Sequence, residues 1–249
     1  MLLNEPSRTQ YDLHFDVLGI PVRVHPFFWV GTLLLGLRGN PKPADMLFWI
    51  GAVFFSILIH EMGHALAARY FGWEPHITLH GFGGLASYQP TYRNPTREIL
   101  ITLAGPVAGF LFAAVIVGVI AASGHEVALD WEFGNLLPID WEPFQSRPAE
   151  KLLWQLLFIN IFWGLVNLLP VFPLDGGQIA REVLGLANPR DGLRQSLWLS
   201  IITAAVIAIL ALTKLGDQFL AFFFGYLAYL SYQSLQANFG SGGGLGGYR

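Results

Sequence analysis

His60-Glu61-Met62-Gly63-His64 sets two imidazoles four residues apart with a carboxylate between them. On a helix, positions i and i+4 lie one turn apart on the same face. Two neutral ring nitrogens so placed can reach one divalent ion at about 2.0 to 2.1 Å each. Glu61 stands one residue along, near enough to take a proton from a metal-activated water without being a ligand. The surrounding run, ILIHEMGHALAARYFGW over residues 57–73, is apolar enough for lipid. In a soluble protein this pattern arises often by chance on surface helices. Inside a membrane the balance changes, because a carboxylate at that depth costs on the order of 3 kcal/mol and ionisable groups there are functional by default. Apolar residues on both sides of the trio argue against a frayed, solvent-exposed helix end.

A catalytic zinc site takes three protein ligands and keeps one position open. The best source of the third is NLLPVFPLDGG, residues 167–177. Pro170 and Pro173 cannot continue a helix, Gly176 and Gly177 allow a tight reversal, and Asp175 sits in the broken backbone. Non-helical backbone is tolerated at membrane depth only where protein or a watery cavity surrounds it. A purely structural explanation competes: Asp175 and Gln178 could form a capping pair for a helix running to about Leu186. Beside two histidines that lack a third ligand, the metal role is favoured. Asn160 and Asn167 share a face of the helix that ends here. Asn160 is expected to bond to a neighbouring helix, and Asn167 to hold substrate backbone or a developing oxyanion. His14, His25, His76, His80 and His125 fall in interfacial or loop segments and are not expected to touch the metal.

These groups need a membrane scaffold, and the composition supplies one. Of 249 residues 53% are apolar and 12% charged, far from an ordinary soluble chain. There is no cysteine and no Lys/Arg-rich block, so thiolate chemistry and nucleic-acid binding are both set aside. Stretches long enough to cross a bilayer fall near residues 44–71, 98–122, 151–169, 196–213 and 218–236. A sixth, residues 26–37, is short and needs Arg38 to snorkel or the bilayer to thin. The expected fold is therefore an all-α polytopic membrane protein of about six transmembrane helices with short interfacial β-hairpins. One hairpin is expected in LHFDVLGIPVRVHP and another in HITLHGFGGLASYQ. Asn94-Pro95 reads as a helix cap followed by a first-turn proline, and LAGPVAGF as a small-residue packing face.

Residues 1–25 form an N-terminal interfacial segment, 26–236 the membrane core, and 237–249 a Gly-rich flexible tail. The acidic, tryptophan-bearing loop from Ser123 to Ala149 suits the outer interface. MLLNEPSRTQ lacks the pattern of a removable signal peptide. With six spans, nine of the 14 basic residues fall on the N-terminal side and five opposite, which favours a cytoplasmic N-terminus. No feature sets an oligomeric state.

HEMGH in one span, AGPVAG in the next and NLLPVFPLDGG at the end of the fourth resemble the site-2 protease family of intramembrane zinc metalloproteases, over roughly residues 13–236. The resemblance implies one Zn2+ bound by His60, His64 and Asp175, with Glu61 as general base and Asn167 touching substrate or intermediate. It also implies that Gly81-Phe82-Gly83 corresponds to the family's G-x-G hairpin, which dips into the membrane beside the site and contacts substrate. The substrate would be a transmembrane protein, and the setting a prokaryotic inner membrane with a cytoplasmic opening to the site. Two departures stand out: no PDZ domain lies between the spans and no CBS domain follows them. A metal transporter or non-catalytic metal-binding scaffold is the alternative, but a carrier has no need of a non-ligand carboxylate at Glu61.

Overall fold

The computed structural model describes residues 5–37, 42–81, 83–90, 92, 94–129 and 139–240. Arg38, Phe82, Asp130, Glu132 and the tail from Ser241 onward lie outside the described residues. The chain divides into two compact units, Met1–Tyr92 with Leu103–Leu165, and Arg93–Thr102 with Val166–Arg249.

The first unit begins with strands β1 (Leu13–Val17) and β2 (Ile20–Val24), paired antiparallel. Leu18 and Gly19 between them both take positive φ, 52° and 73°, as the central pair of a tight two-residue hairpin turn must. Helices α1 (Pro26–Gly36) and α2 (Pro43–Tyr70) follow, and then the antiparallel pair β3 (His76–His80) and β4 (Gly83–Ser87). The two hairpins do not stand apart, as an all-α reading with isolated hairpins would have them. β2 and β3 pair in parallel through Val22↔Ile77, giving one four-stranded sheet in the order β1-β2-β3-β4. The reason is burial: Ile20, Val22, Val24, Ile77 and Leu79 form one apolar face that packs with Ala52, Val53, Leu58, Met62 and Ala65 of α2. A single strand pair could not cover that much of the helix.

The other face of β2 carries a buried guanidinium. Arg23 donates to Asp12 (3.1 Å), Glu5 (3.4 Å) and the Pro6 carbonyl (3.0 Å), so the chain before β1 is strapped over the sheet. Glu5 also meets His76. At α1, Pro26 takes the first turn and the His25 ring accepts from the Phe27 amide. At about 16 Å this helix covers only half of a bilayer core. It leans on α2 through the Trp49 indole, which donates to the Thr32 carbonyl (2.9 Å).

Helix α3 runs from Pro95 to Ala122, capped as expected by Asn94, whose side chain accepts from the Arg97 amide. The following loop is not wholly irregular: β5 (Val127–Leu129) and β6 (Ile139–Trp141) pair in it. Helix α4 (Arg147–Phe158) then starts at Arg147, earlier than hydropathy suggested, because its first turn is polar. It widens into a π turn over Ile159–Trp163 before the short α5 (Gly164–Asn167).

The second unit holds α6 (Asp175–Ala187), α7 (Gly192–Leu210, with a π turn to Leu215) and α8 (Gln218–Phe239). α8 runs past Gln236 into the stretch expected as flexible tail. Among the described residues, four helices are long and apolar enough to cross a membrane, at residues 43–70, 95–122, 147–167 and 192–215, while 26–36 is a shorter apolar helix.

The Arg23 strap has a measurable pH signature. Partial burial opposes ionisation of Asp12, but the Thr9 hydroxyl and amide and then Arg23 outweigh it and lower its pKa from 3.8 to about 2. A carboxylate with a depressed folded-state pKa stabilises the fold above its unfolded value and loses that contribution as pH falls through the folded one. The stability difference between wild type and Asp12→Asn is therefore expected to be full above pH ~4 and to shrink toward pH ~2, as followed by thermal unfolding in detergent.

Candidate metal centre

His60, Glu61 and His64 lie in the C-terminal half of α2, and all three are buried. The two rings meet edge to face with centroids 4.8 Å apart, and their Nε2 atoms are 3.1 Å apart. Two atoms that each sit about 2.05 Å from a tetrahedral ion stand about 3.3 Å from one another. The histidine pair thus already has close to the bite a single ion requires.

Two glycines on neighbouring elements make room for this trio. A Cβ at Gly105 of α3 would overlap the His64 ring, and one at Gly84 of β4 would overlap the Glu61 carboxylate. On the third side, Gly63 meets the Ala104 carbonyl and the Ala108 methyl so closely that no side chain fits. The small residues of LAGPVAGF are thus a packing face, as expected, but Gly105 also sets how near α3 comes to a candidate ligand. Sequence inspection did not single out Gly84 or this role of Gly105. The only signal available was the density of small residues.

Asp175 is the first residue of α6 and is buried. The cap is Leu174, with no side-chain cap bond, and Gln178 Nε2 turns instead to the Pro173 carbonyl (3.2 Å). The Gln178 side chain is thus engaged with the backbone before Asp175. The backbone before Asp175 is fixed from two helices. The Phe172 amide donates to Ser200 Oγ on α7 (3.0 Å), and Ser231 Oγ on α8 donates to the Phe172 carbonyl (3.1 Å). Gly176 and Gly177 lie so close to the backbone of Leu168–Leu169 and Val171–Phe172 that a Cβ at either would collide. Both serines are buried, and they supply partners that irregular backbone needs away from water.

Among the described residues, one group could hold a metal ion: a ring nitrogen from each of His60 and His64 and a carboxylate oxygen of Asp175, all within 4.8 Å of one another. Two imidazoles and a carboxylate are a donor set that suits zinc.

Asn167 closes α5 and is buried. Asn160 makes the interhelical bond expected of it, donating to Ser56 Oγ of α2 (2.8 Å). Gly81 sits against the Phe27 backbone, with Gly31 of α1 pressed on its carbonyl, and Gly83 has φ 130°. Both glycines thus have conformational reasons to be there. The remaining histidines take structural places: His14 in β1, His25 at the α1 cap, His76 and His80 at the ends of β3, and His125 stacked on Phe144 (3.8 Å). Burial, with His25 and Arg23 nearby, holds the His80 pKa below 6.5.

The family model described as peptidase family M50 matches residues 48–134 and 132–212. The chain belongs to peptidase family M50. Among curated proteins it is similar to a zinc metalloprotease of Methanocaldococcus jannaschii, 27% identical over 68% of this chain and 44% of that protein. It is also similar to stage IV sporulation protein FB of Bacillus subtilis, 29% identical over 64% of this chain and 46% of that one. The chain spans less than half the length of these two relatives. Its fold is similar to that of the site-2 protease from Methanocaldococcus jannaschii, with a TM-score of 0.58 and 22% identity over 90% of this chain and 95% of that one. The resemblance read from HEMGH, AGPVAG and NLLPVFPLDGG is therefore upheld. Family membership and four apolar helices together make this M50 chain an integral membrane protein.

The Gly105–His64 contact yields a direct test. Gly105→Ala is expected to displace the ring and reduce bound divalent metal by about tenfold or more. Gly118→Ala on the same helix, where nothing lies within 4 Å, should leave metal content unchanged. Elemental analysis of purified protein checks both.

Proposed function

We propose that this chain is an intramembrane zinc metalloprotease that hydrolyses peptide bonds in or beside transmembrane segments of other proteins. One observation carries the reading: three buried ligand atoms from His60, His64 and Asp175 within 4.8 Å of one another, with the Glu61 carboxylate buried on the same helix. Supporting it are the family match and the similarity to the archaeal zinc metalloprotease.

In this reading His60, His64 and Asp175 bind one Zn2+. An ion held there would supply Lewis-acid polarisation of the scissile carbonyl and would lower the pKa of water toward neutrality, so that its deprotonated form is available for attack. Glu61 accepts the proton from the attacking water and delivers it to the leaving amine. Asn167 holds the substrate backbone or the developing oxyanion.

A substrate helix keeps its carbonyls bonded and hidden, so it must unwind before attack. β4 is an edge strand of the sheet, and its Gly84 lies against Glu61. A substrate segment added to that edge by main-chain hydrogen bonds would be held extended beside the base. Gly83 opens this strand and Gly81 lies two residues before it; by the family resemblance these glycines, with Phe82, are assigned to substrate contact.

The proposed setting is a prokaryotic inner membrane with six spans. α8, at about 33 Å, is long enough to be one, and the short α1 would be the other. The bias of basic residues supports a cytoplasmic N-terminus and a cytoplasmic opening to the site.

Glu61→Gln separates hydrolysis from metal carriage. It is expected to retain about one zinc per chain, as the wild type does. Cleavage of a reconstituted model transmembrane peptide should fall by at least ~100-fold. Asp175→Ala should lose both metal and activity. Cleavage by Glu61→Gln at the wild-type rate would eliminate the hydrolytic reading, and unchanged metal flux without cleavage by either form would support a carrier.

A further inference from the structure

Asn160 sits in the π turn of α4, yet its side chain does more than join two helices. Its amide nitrogen donates both to the Leu156 carbonyl one turn back (2.8 Å) and to Ser56 Oγ of α2 (2.8 Å). Asn160 and Ser56 are 4% and 3% exposed, so the bond is shielded from water and from competing partners. On its other side, the Asn160 carbonyl oxygen lies 3.5 Å from where a Cβ on Gly109 of α3 would stand. One amide thus occupies the junction of α2, α3 and α4.

Ser56 precedes His60 by four residues and shares its helix face. Apolar and small contacts also seat this part of α2: Met62 and Ala65 in the core, and Gly63 on Ala104 and Ala108. In lipid such contacts bring helices close but allow small slips along and about the axis, whereas a buried hydrogen bond has a fixed partner. The tolerance at the histidines is narrow, because the His64 ring already fills the notch at Gly105. A π turn at this junction is consistent with a functional rather than incidental irregularity.

We propose that Asn160 is a positioning residue: through Ser56 it fixes the rotation and depth of α2 so that His60 and His64 present their nitrogens to one ion. This rests on the metal-site reading given above. The Asn160→Leu variant keeps the branched shape and removes the bonds, and Ser56→Ala deletes a single hydroxyl from the same pair.

The test uses the full chain in detergent, stripped of metal and titrated with Co2+, whose visible d–d spectrum reports coordination independently of activity. Wild type should give a tetrahedral spectrum that His60→Ala abolishes. Asn160→Leu and Ser56→Ala should each weaken cobalt binding about tenfold, the lower end of what outer-shell partners contribute. The double variant should be no worse than Asn160→Leu alone, since Ser56→Ala removes a bond that variant has already lost. If Asn160→Leu aggregates, Ser56→Ala alone carries the same expectation. Wild-type cobalt affinity and spectrum in a folded Asn160→Leu or Ser56→Ala protein would overturn this inference alone. A wild type without the signal, or His60→Ala with it, would overturn the metal reading and this inference with it.

Discussion

Two imidazoles and a carboxylate inside an apolar helix define the constraint that organises this protein. Ionisable groups at membrane depth are costly unless they are paired, bonded or bound to an ion. The chain meets that cost by crowding: His60 faces His64 at 3.1 Å, and glycines let neighbouring backbone close over the rings and over Glu61. Room for side chains on α3 and β4 is given up where the site needs closeness. The same helix uses its other positions for ordinary apolar packing against the sheet. One element is thereby both core and site, which ties the histidines to the most buried part of the fold.

The sheet is the second half of this arrangement. Four short strands would be a marginal structure alone, and here their apolar face is covered by α2 while Arg23 ties down the segment before β1. That places an edge strand, β4, beside Glu61. In the proposed function, the helix would carry the chemistry and the strand edge would offer the main-chain groups that an extended peptide needs.

Much of this was legible in the sequence because its signals are local. The i, i+4 histidines, the Asn94-Pro95 cap and the apolar stretches each declare themselves within a few residues of chain. Asp175 stood out for a different reason: two prolines break the helix before it and two glycines after it allow a tight reversal. The parallel β2–β3 pairing was not legible, since it joins residues more than fifty positions apart and leaves no local trace. Gly84 and Gly105 were hidden for a similar reason. A glycine next to an unknown neighbour looks like any other, and only the facing side chain reveals why a Cβ is excluded. The polar first turn of α4 masked the start of that helix, because hydropathy cannot distinguish an interfacial helical turn from a loop.

The clasp on Phe172 extends the cast of residues that matter to the aspartate. Ser231 belongs to the last described helix and offers no ligand, yet it holds a carbonyl three residues before Asp175, while Ser200 holds the amide of that same residue. The C-terminal pair of helices is therefore not a passive anchor but a frame for the backbone that leads into Asp175. A lineage could retune the affinity of such a centre by altering residues on α7 and α8, leaving every signature motif intact.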